Sequence, residues 1–236
     1  MVPVRVRRTF AFLDLSGFTA LTATEGDERS VAVLGVFRGA LRKTCSRRGV
    51  RIAKWLGDGA MLVGVETTPV ASAALELMCA SELAGENVNV KCGITAGSVI
   101  LLEGDDYIGH AVNVAARLCD LAHGGQVLAD PGVVDALPAW AGAGEPHGVA
   151  VRGVVPPVEV VELSLYCPPE ASSPDPVCGI PLAPSTAVAW RSAGSIGRWL
   201  FCSDSCLDTW ESRPGALGTG GELAEGDEAF VRDGIA

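Results

Sequence analysis

The stretch Phe10-Ala11-Phe12-Leu13-Asp14-Leu15-Ser16-Gly17-Phe18 runs an apolar strand into a carboxylate and then into a turn. An acidic side chain beside apolar strand residues is costly unless something positive meets it. A second carboxylate arrives in Lys54-Trp55-Leu56-Gly57-Asp58-Gly59, where Gly-Asp-Gly joins two strand-like runs as a hairpin. Together Asp14 and Asp58 read as ligands of one or two divalent ions, with the carbonyl of Leu15 as a further oxygen. Mg²⁺ or Mn²⁺ carrying a polyphosphate suits such a set. Taken alone, Asp58 more often marks a plain hairpin turn.

Outward from these motifs, residues 9–15 form a buried strand, and 18–48 a helical stretch broken near Gly26-Asp27 and stopped at Gly49. Residues 50–56 and 60–65 are the hairpin strands. A helix opens at Pro69 and continues to about residue 83. Residues 88–96 alternate as a strand, Gly97 marks a turn, and 98–102 pair back. A helix over 111–121 stops at His123-Gly124-Gly125, and strands at 126–129, 148–152 and 158–163 close the domain. Hairpins interrupt the crossovers, so the pattern predicts an α+β layer with helices against an antiparallel or mixed sheet, not simple βαβ winding.

The chain has 236 residues and a formal net charge of −10, with no basic tract, which argues against nonspecific nucleic-acid binding. No uninterrupted apolar run reaches secretory or spanning length, so no membrane segment is expected and the cytoplasm is the expected compartment. Its 8 cysteines then read as thiols or metal ligands, not disulfides. Cys45, Cys79, Cys92 and Cys119 sit singly in periodic segments and read as core fillers. Residues 167–176 are a linker by composition. Residues 215–236, Gly-rich and acidic, read as disordered.

A third stretch, Asp106-Tyr107-Ile108-Gly109-His110-Ala111-Val112-Asn113-Val114-Ala115-Ala116-Arg117, opens the 111–121 helix. Asn113 and Arg117 are four apart and share a helix face. Arg117 offers a donor fork suited to phosphate oxygens, and Asn113 an amide that can orient a sugar. Alone, such a pair more often marks a solvated helix face.

These separated motifs, in this order, resemble the catalytic domain of class III adenylate and guanylate cyclases over residues 8–165. The resemblance implies a ferredoxin-like nucleotide cyclase fold working as a head-to-tail homodimer. It implies that Asp14 and Asp58 hold two metal ions and that Lys54 and Asp106 recognise adenine, where guanylate cyclases usually carry Glu and Cys. Asn113 and Arg117 then position the ribose and stabilise charge at the α-phosphate. Arg152 matches a position where many members contact the terminal phosphates with Lys. The implied reaction is attack of the ribose 3′-hydroxyl of ATP on its α-phosphorus, giving cyclic AMP and pyrophosphate. Trp55 and Ser98 depart from the family, which frequently has a small polar residue at the first position and, in some members, Arg at the second.

Late in the chain, Asp175-Pro176-Val177-Cys178-Gly179 and Phe201-Cys202-Ser203-Asp204-Ser205-Cys206 gather three soft ligands. Zinc or another thiophilic ion suits them. Residues 174–214 resemble YHS/TRASH-type metal-binding modules, with Asp175, Cys167 or water open as a fourth ligand. The competing reading is a noncatalytic cyclase-fold module that binds nucleotide or senses metal.

Overall fold

The first apolar run lies inside a longer strand, β1 (Val4–Ser16), whose alternation splits it between two faces. Ala11, Leu13 and Leu15 pack in one buried cluster and Phe10 in another. The computed structural model describes residues 4–79, 88–102, 106–150, 157–166, 173–192 and 197–213. Arg152, Cys167, the expected helix end after residue 79 and the acidic tail lie outside them.

After β1 the chain forms α1 (Phe18–Glu25) and α2 (Asp27–Arg48). The break falls at Gly26, whose φ of 84° suits a residue without a side chain. Val33, Phe37, Ala40, Leu41 and Cys45 recur on one side of α2 and are buried against the sheet. The hairpin follows as β2 (Arg51–Leu56) and β3 (Gly59–Gly64), with Asp58 between them. The next helix, α3 (Thr67–Met78), starts two residues ahead of the expected Pro69. Proline is tolerated there because first-turn N–H groups have no intrahelical partner.

Gly97 makes no turn. It lies inside β4 (Asn89–Leu101), which pairs continuously with β1, so residues 98–101 do not fold back on 89–96. Glycine is needed for another reason: an added Cβ would lie 2.9 Å from the Ala111 side chain. The returning strand is β5 (Tyr107–Ile108), opposite Ile100 and Leu101. It leads into α4 (His110–Leu121), then β6 (Val127–Ala129), parallel to β4. A 3₁₀ turn (Pro131–Ala136) capped by Asp130 and the strand β7 (Ala141–Ala143), too short to show periodicity, were not expected. The expected strand at 148–152 is β8 (His147–Val149), ending before Ala150; β9 (Val158–Leu165) completes the set.

Among the described residues, the main sheet runs β2-β3-β1-β4-β6-β9-β7, with β5 beside β4 and β8 beside β9. Helices α2 and α3 cover the face of Leu13 and Cys92; α4 covers the face of Phe10 and Met61. This is the α+β layering expected.

The C-terminal segment adds β10 (Ser173–Pro174), β11 (Pro181–Leu182), β12 (Ala189–Ser192), β13 (Arg198–Phe201) and α5 (Asp204–Glu211). Its Ile180, Leu182, Phe201 and Cys206 join the buried cluster that holds Phe37, Leu75 and Trp140. It shares the core of the larger domain. No helix among the described residues is long and apolar enough to cross a membrane.

Candidate active site

Asp14 lies on the α4 face of β1, directly across from Lys91 of β4, whose Nζ is 3.2 Å from Oδ2. The β1–β3 register puts Leu13 opposite Ala60, so the hairpin tip lies against Asp14. The approach at Gly59 is close: an added Cβ would fall 2.5 Å from the Leu13 carbonyl and 3.2 Å from Asp14 Oδ1. Burial, then Asp14, pushes the Asp58 carboxyl above its ordinary range, with its backbone hydrogen bond and Lys91 pulling the other way. Two carboxylates set against each other, one of them partly buried and raised by the other, fit a hard divalent cation, which would relieve the repulsion. Leu15, next in the strand, is buried.

Lys54 and Asp106 also meet, Nζ to Oδ1 at 2.7 Å across a half-exposed pair. Strict alternation would put Lys54 on the same face as Ile52, under α2. The β2–β3 register instead shifts between Ile52 and Lys54, turning Lys54 toward β5. The shift also turns Trp55 the other way, where the guanidiniums of Arg38 and Arg42 stand 4.9 and 5.1 Å from its ring. That stacking accounts for a tryptophan at this position. Lys54 holds the Asp106 carboxyl below its usual range, helped by the Tyr107 N–H. Arg51 donates to the Tyr107 hydroxyl at 2.8 Å, and the Tyr107 ring packs edge-on against Phe10.

Helix α4 is held very close to the sheet at Gly93, where an added Cβ would lie 2.2 Å from the Cys119 nitrogen and 2.3 Å from the Ala115 carbonyl. Ala111, Val114, Ala115, Leu118 and Cys119 are buried, leaving Asn113 and Arg117 on the exposed side. Arg117 Nη1 is 3.0 Å from Asp120 of its own helix. The single chain therefore gathers Asp14 with Asp58 and Lys54 with Asp106, and presents Asn113 and Arg117 to solvent.

The late cysteines form a second centre. The ligand atoms of Asp175, Cys178, Cys202 and Cys206 all lie within 4.8 Å of one another. Cys202 Sγ is 3.5 Å from Cys178 Sγ and 3.6 Å from Cys206 Sγ. Hydrogen bonds from Cys178 and Cys202 pull the Cys206 thiol down to about 4, and the same sharing pushes Cys178 up. Burial, then Cys202, raises the Asp175 carboxyl, whose Oδ2 accepts the Cys202 N–H at 2.7 Å. Three sulfurs and one oxygen suit a thiophilic tetrahedral ion. Among the described residues, Asp175 is brought to the sulfurs. The early cysteines differ: burial raises Cys45 and Cys119 to about 12 and Cys92 well above its ordinary value, as inert packing requires.

Sequence reading missed Lys91, and also Arg48, Glu76 and Trp140, which surround the cysteine centre. Lys91 had one usable signal: it is the charged residue between Val90 and Cys92 in an otherwise apolar alternation. Arg48 had none, because its partner Cys202 lies far along the chain.

No family model matches the chain. It is 35% identical over 153 residues to an uncharacterised protein of Mycobacterium bovis, covering 64% of this chain and 40% of that one. It is 31% identical over 129 residues to a pH-sensitive adenylate cyclase of Mycobacterium tuberculosis, covering 55% of this chain and 32% of that one. An adenylate cyclase of Streptomyces coelicolor is 31% identical over 134 residues, covering 56% of this chain and 34% of that one. The chain thus spans well under half the length of these curated relatives. Among solved structures, the guanylyl cyclase Cya2 superposes with a TM-score of 0.60 at 21% identity, over 72% of this chain and 98% of that one. The adenylyl cyclase CyaB from P. aeruginosa gives 0.60 at 21%, over 72% and 100%. The chain has the catalytic-domain fold of the class III adenylate and guanylate cyclases.

Proposed function

We propose that this chain is an adenylate cyclase domain that converts ATP to 3′,5′-cyclic AMP and pyrophosphate in a site shared between two copies. The observation that carries the reading is the meeting of Asp14 and Asp58 at the hairpin tip, with a compensating cation at Lys91. The adenylate cyclases among the relatives support it. In the reaction the 3′-oxygen bonds to the α-phosphorus and gives up its proton, the α–β bridging bond breaks, and pyrophosphate leaves. Mg²⁺ or Mn²⁺, when bound, supplies Lewis acidity toward hydroxyl and phosphates. Asp14 and Asp58 would hold the ions, with the Leu15 carbonyl beside them. Lys54 can donate to a ring nitrogen and Asp106 can accept from an exocyclic amine, the pattern of adenine's Watson–Crick edge, where guanine instead carries a ring N–H beside its carbonyl. A partner copy would bring Lys54 and Asp106 to the base, Asn113 to the ribose, Arg117 to the charge growing on the α-phosphate, and Arg152 to the terminal phosphates. This explains why Asn113 and Arg117 face outward in one chain.

The test is cyclic-nucleotide formation by purified protein with Mn²⁺ and either ATP or GTP, alongside Asp14→Ala. Cyclic AMP from ATP, lost in the variant, is expected. No product from folded, dimeric protein with any divalent ion would overturn the enzyme reading and leave a nucleotide-binding or metal-sensing module.

We also propose that Asp175, Cys178, Cys202 and Cys206 hold one thiophilic ion, zinc being the natural fit for three sulfurs and an oxygen. Stoichiometric Zn²⁺ uptake lost in Cys202→Ser is the expected result, and undiminished uptake in that variant would refute the assignment.

A further inference from the structure

The cysteine centre is not built by the C-terminal segment alone. Arg48, the last residue of α2, donates from Nη2 to Cys202 Sγ at 3.3 Å and from Nε to Glu76 Oε2 at 2.7 Å. The Arg48 side chain is 4% exposed and that of Glu76 7%. Glu76 also accepts from Thr44 Oγ1 at 2.6 Å and from Arg47. Trp140, fully buried, donates from Nε1 to the Cys202 carbonyl at 3.0 Å. Cys202 is therefore gripped on both its sulfur and its backbone by residues of the cyclase-fold domain.

Charge explains why such a grip is needed. Three thiolates and a carboxylate around a divalent ion leave a net negative cluster, and buried net charge persists only when something opposite is fixed against it. Arg48 is that group, and Glu76 fixes Arg48. Metal takes cysteine as thiolate, and a charged sulfur accepts a stronger hydrogen bond from a guanidinium than a neutral one.

Resting on the metal reading above, we propose that Arg48 makes metal occupancy of the centre and docking of the C-terminal segment (173–192 and 197–213) on α2 one linked equilibrium. Linkage is reciprocal: docking raises metal affinity by the same factor that metal tightens docking. A cavity of about 780 Å³, lined by Arg47, Glu76, Cys79, Asp175 and Cys178, opens beside the centre and gives the ion a way in. Arg51, where β2 starts, follows Arg48 closely, so the docked segment is fastened at the root of the hairpin that carries Lys54 and Asp58.

The experiment uses the full chain with Co²⁺ and Zn²⁺ as probes, reading thiolate-to-Co²⁺ absorption, Zn²⁺ affinity by competition, and protease cleavage within residues 173–213 with and without Zn²⁺. Far-UV circular dichroism confirms that each variant is folded. Arg48→Met is expected to weaken Zn²⁺ binding roughly 10- to 100-fold and to lose the Zn²⁺-dependent protection, with Arg48→Lys recovering part of both. Wild-type affinity and protection in Arg48→Met would overturn the linkage while leaving the metal centre in place. Absence of metal binding by the wild-type chain would overturn both. If Arg48→Met fails to fold, Trp140→Phe, which keeps the packing and removes the donor, carries the test. It is expected to weaken Zn²⁺ binding by about tenfold, and unchanged affinity there overturns the linkage.

Discussion

At the scale of single residues, the site sets Asp14 and Asp58 against one another with Lys91 beside them. Asp58 sits above its ordinary range because of burial and Asp14. A raised carboxyl pKa in the folded state means stability that is present below the unfolded value and lost as pH rises through the folded one. Asp58→Asn should therefore raise the unfolding midpoint of metal-free protein at pH 7 and leave it unchanged at pH 3, where both forms are neutral. Thermal melts at the two pH values check this, and an equal gain at both would contradict it. Lys91 occupies Asp14 in competition with any metal. Lys91→Met should lower the Mn²⁺ concentration for half-maximal binding roughly three- to tenfold, read by calorimetry, because a nearby positive charge is removed from a cation site. The sequence showed the carboxylates but not this lysine, since one charged residue in an alternating strand reads as solvated until its cross-strand partner is known. It likewise showed three cysteines but not Arg48 or Trp140, whose roles depend on contacts across the fold.

At the scale of elements, the periodic helices and strands were legible, and the misread turn came from glycine. Gly97 reads as a turn because glycine usually punctuates a strand, yet here it clears space for α4. Gly93 does the same more tightly. Gly93→Ala should cost about 3 kcal/mol or more, at or beyond the upper end of overpacking effects, because the clash is with backbone and not with a movable side chain. It should also reduce cyclase turnover, since α4 carries Asn113 and Arg117. Denaturant unfolding with an activity assay checks both, and a neutral variant would mean that α4 can move off β4 freely. The shift in β2 that turns Lys54 toward Asp106 was equally invisible in the sequence, because two adjacent residues on one face break the period on which strand reading depends.

At the scale of the whole molecule, the central claim is that one chain holds complementary halves of two equivalent sites. Strand β1 and the hairpin carry Asp14 and Asp58; α4 presents Arg117 outward, where the proposed reading has a second copy use it. The direct test mixes two inactive variants, Asp14→Ala and Arg117→Ala, after confirming that each is folded, dimeric and at background alone. A two-fold heterodimer of these variants contains one site with both residues lost and one site with both intact. Random pairing at equal amounts should then restore about a quarter of wild-type cyclic AMP formation, because half the dimers carry one of two sites. No recovery from demonstrably mixed dimers would contradict the shared site and return the chemistry, if any, to a single chain.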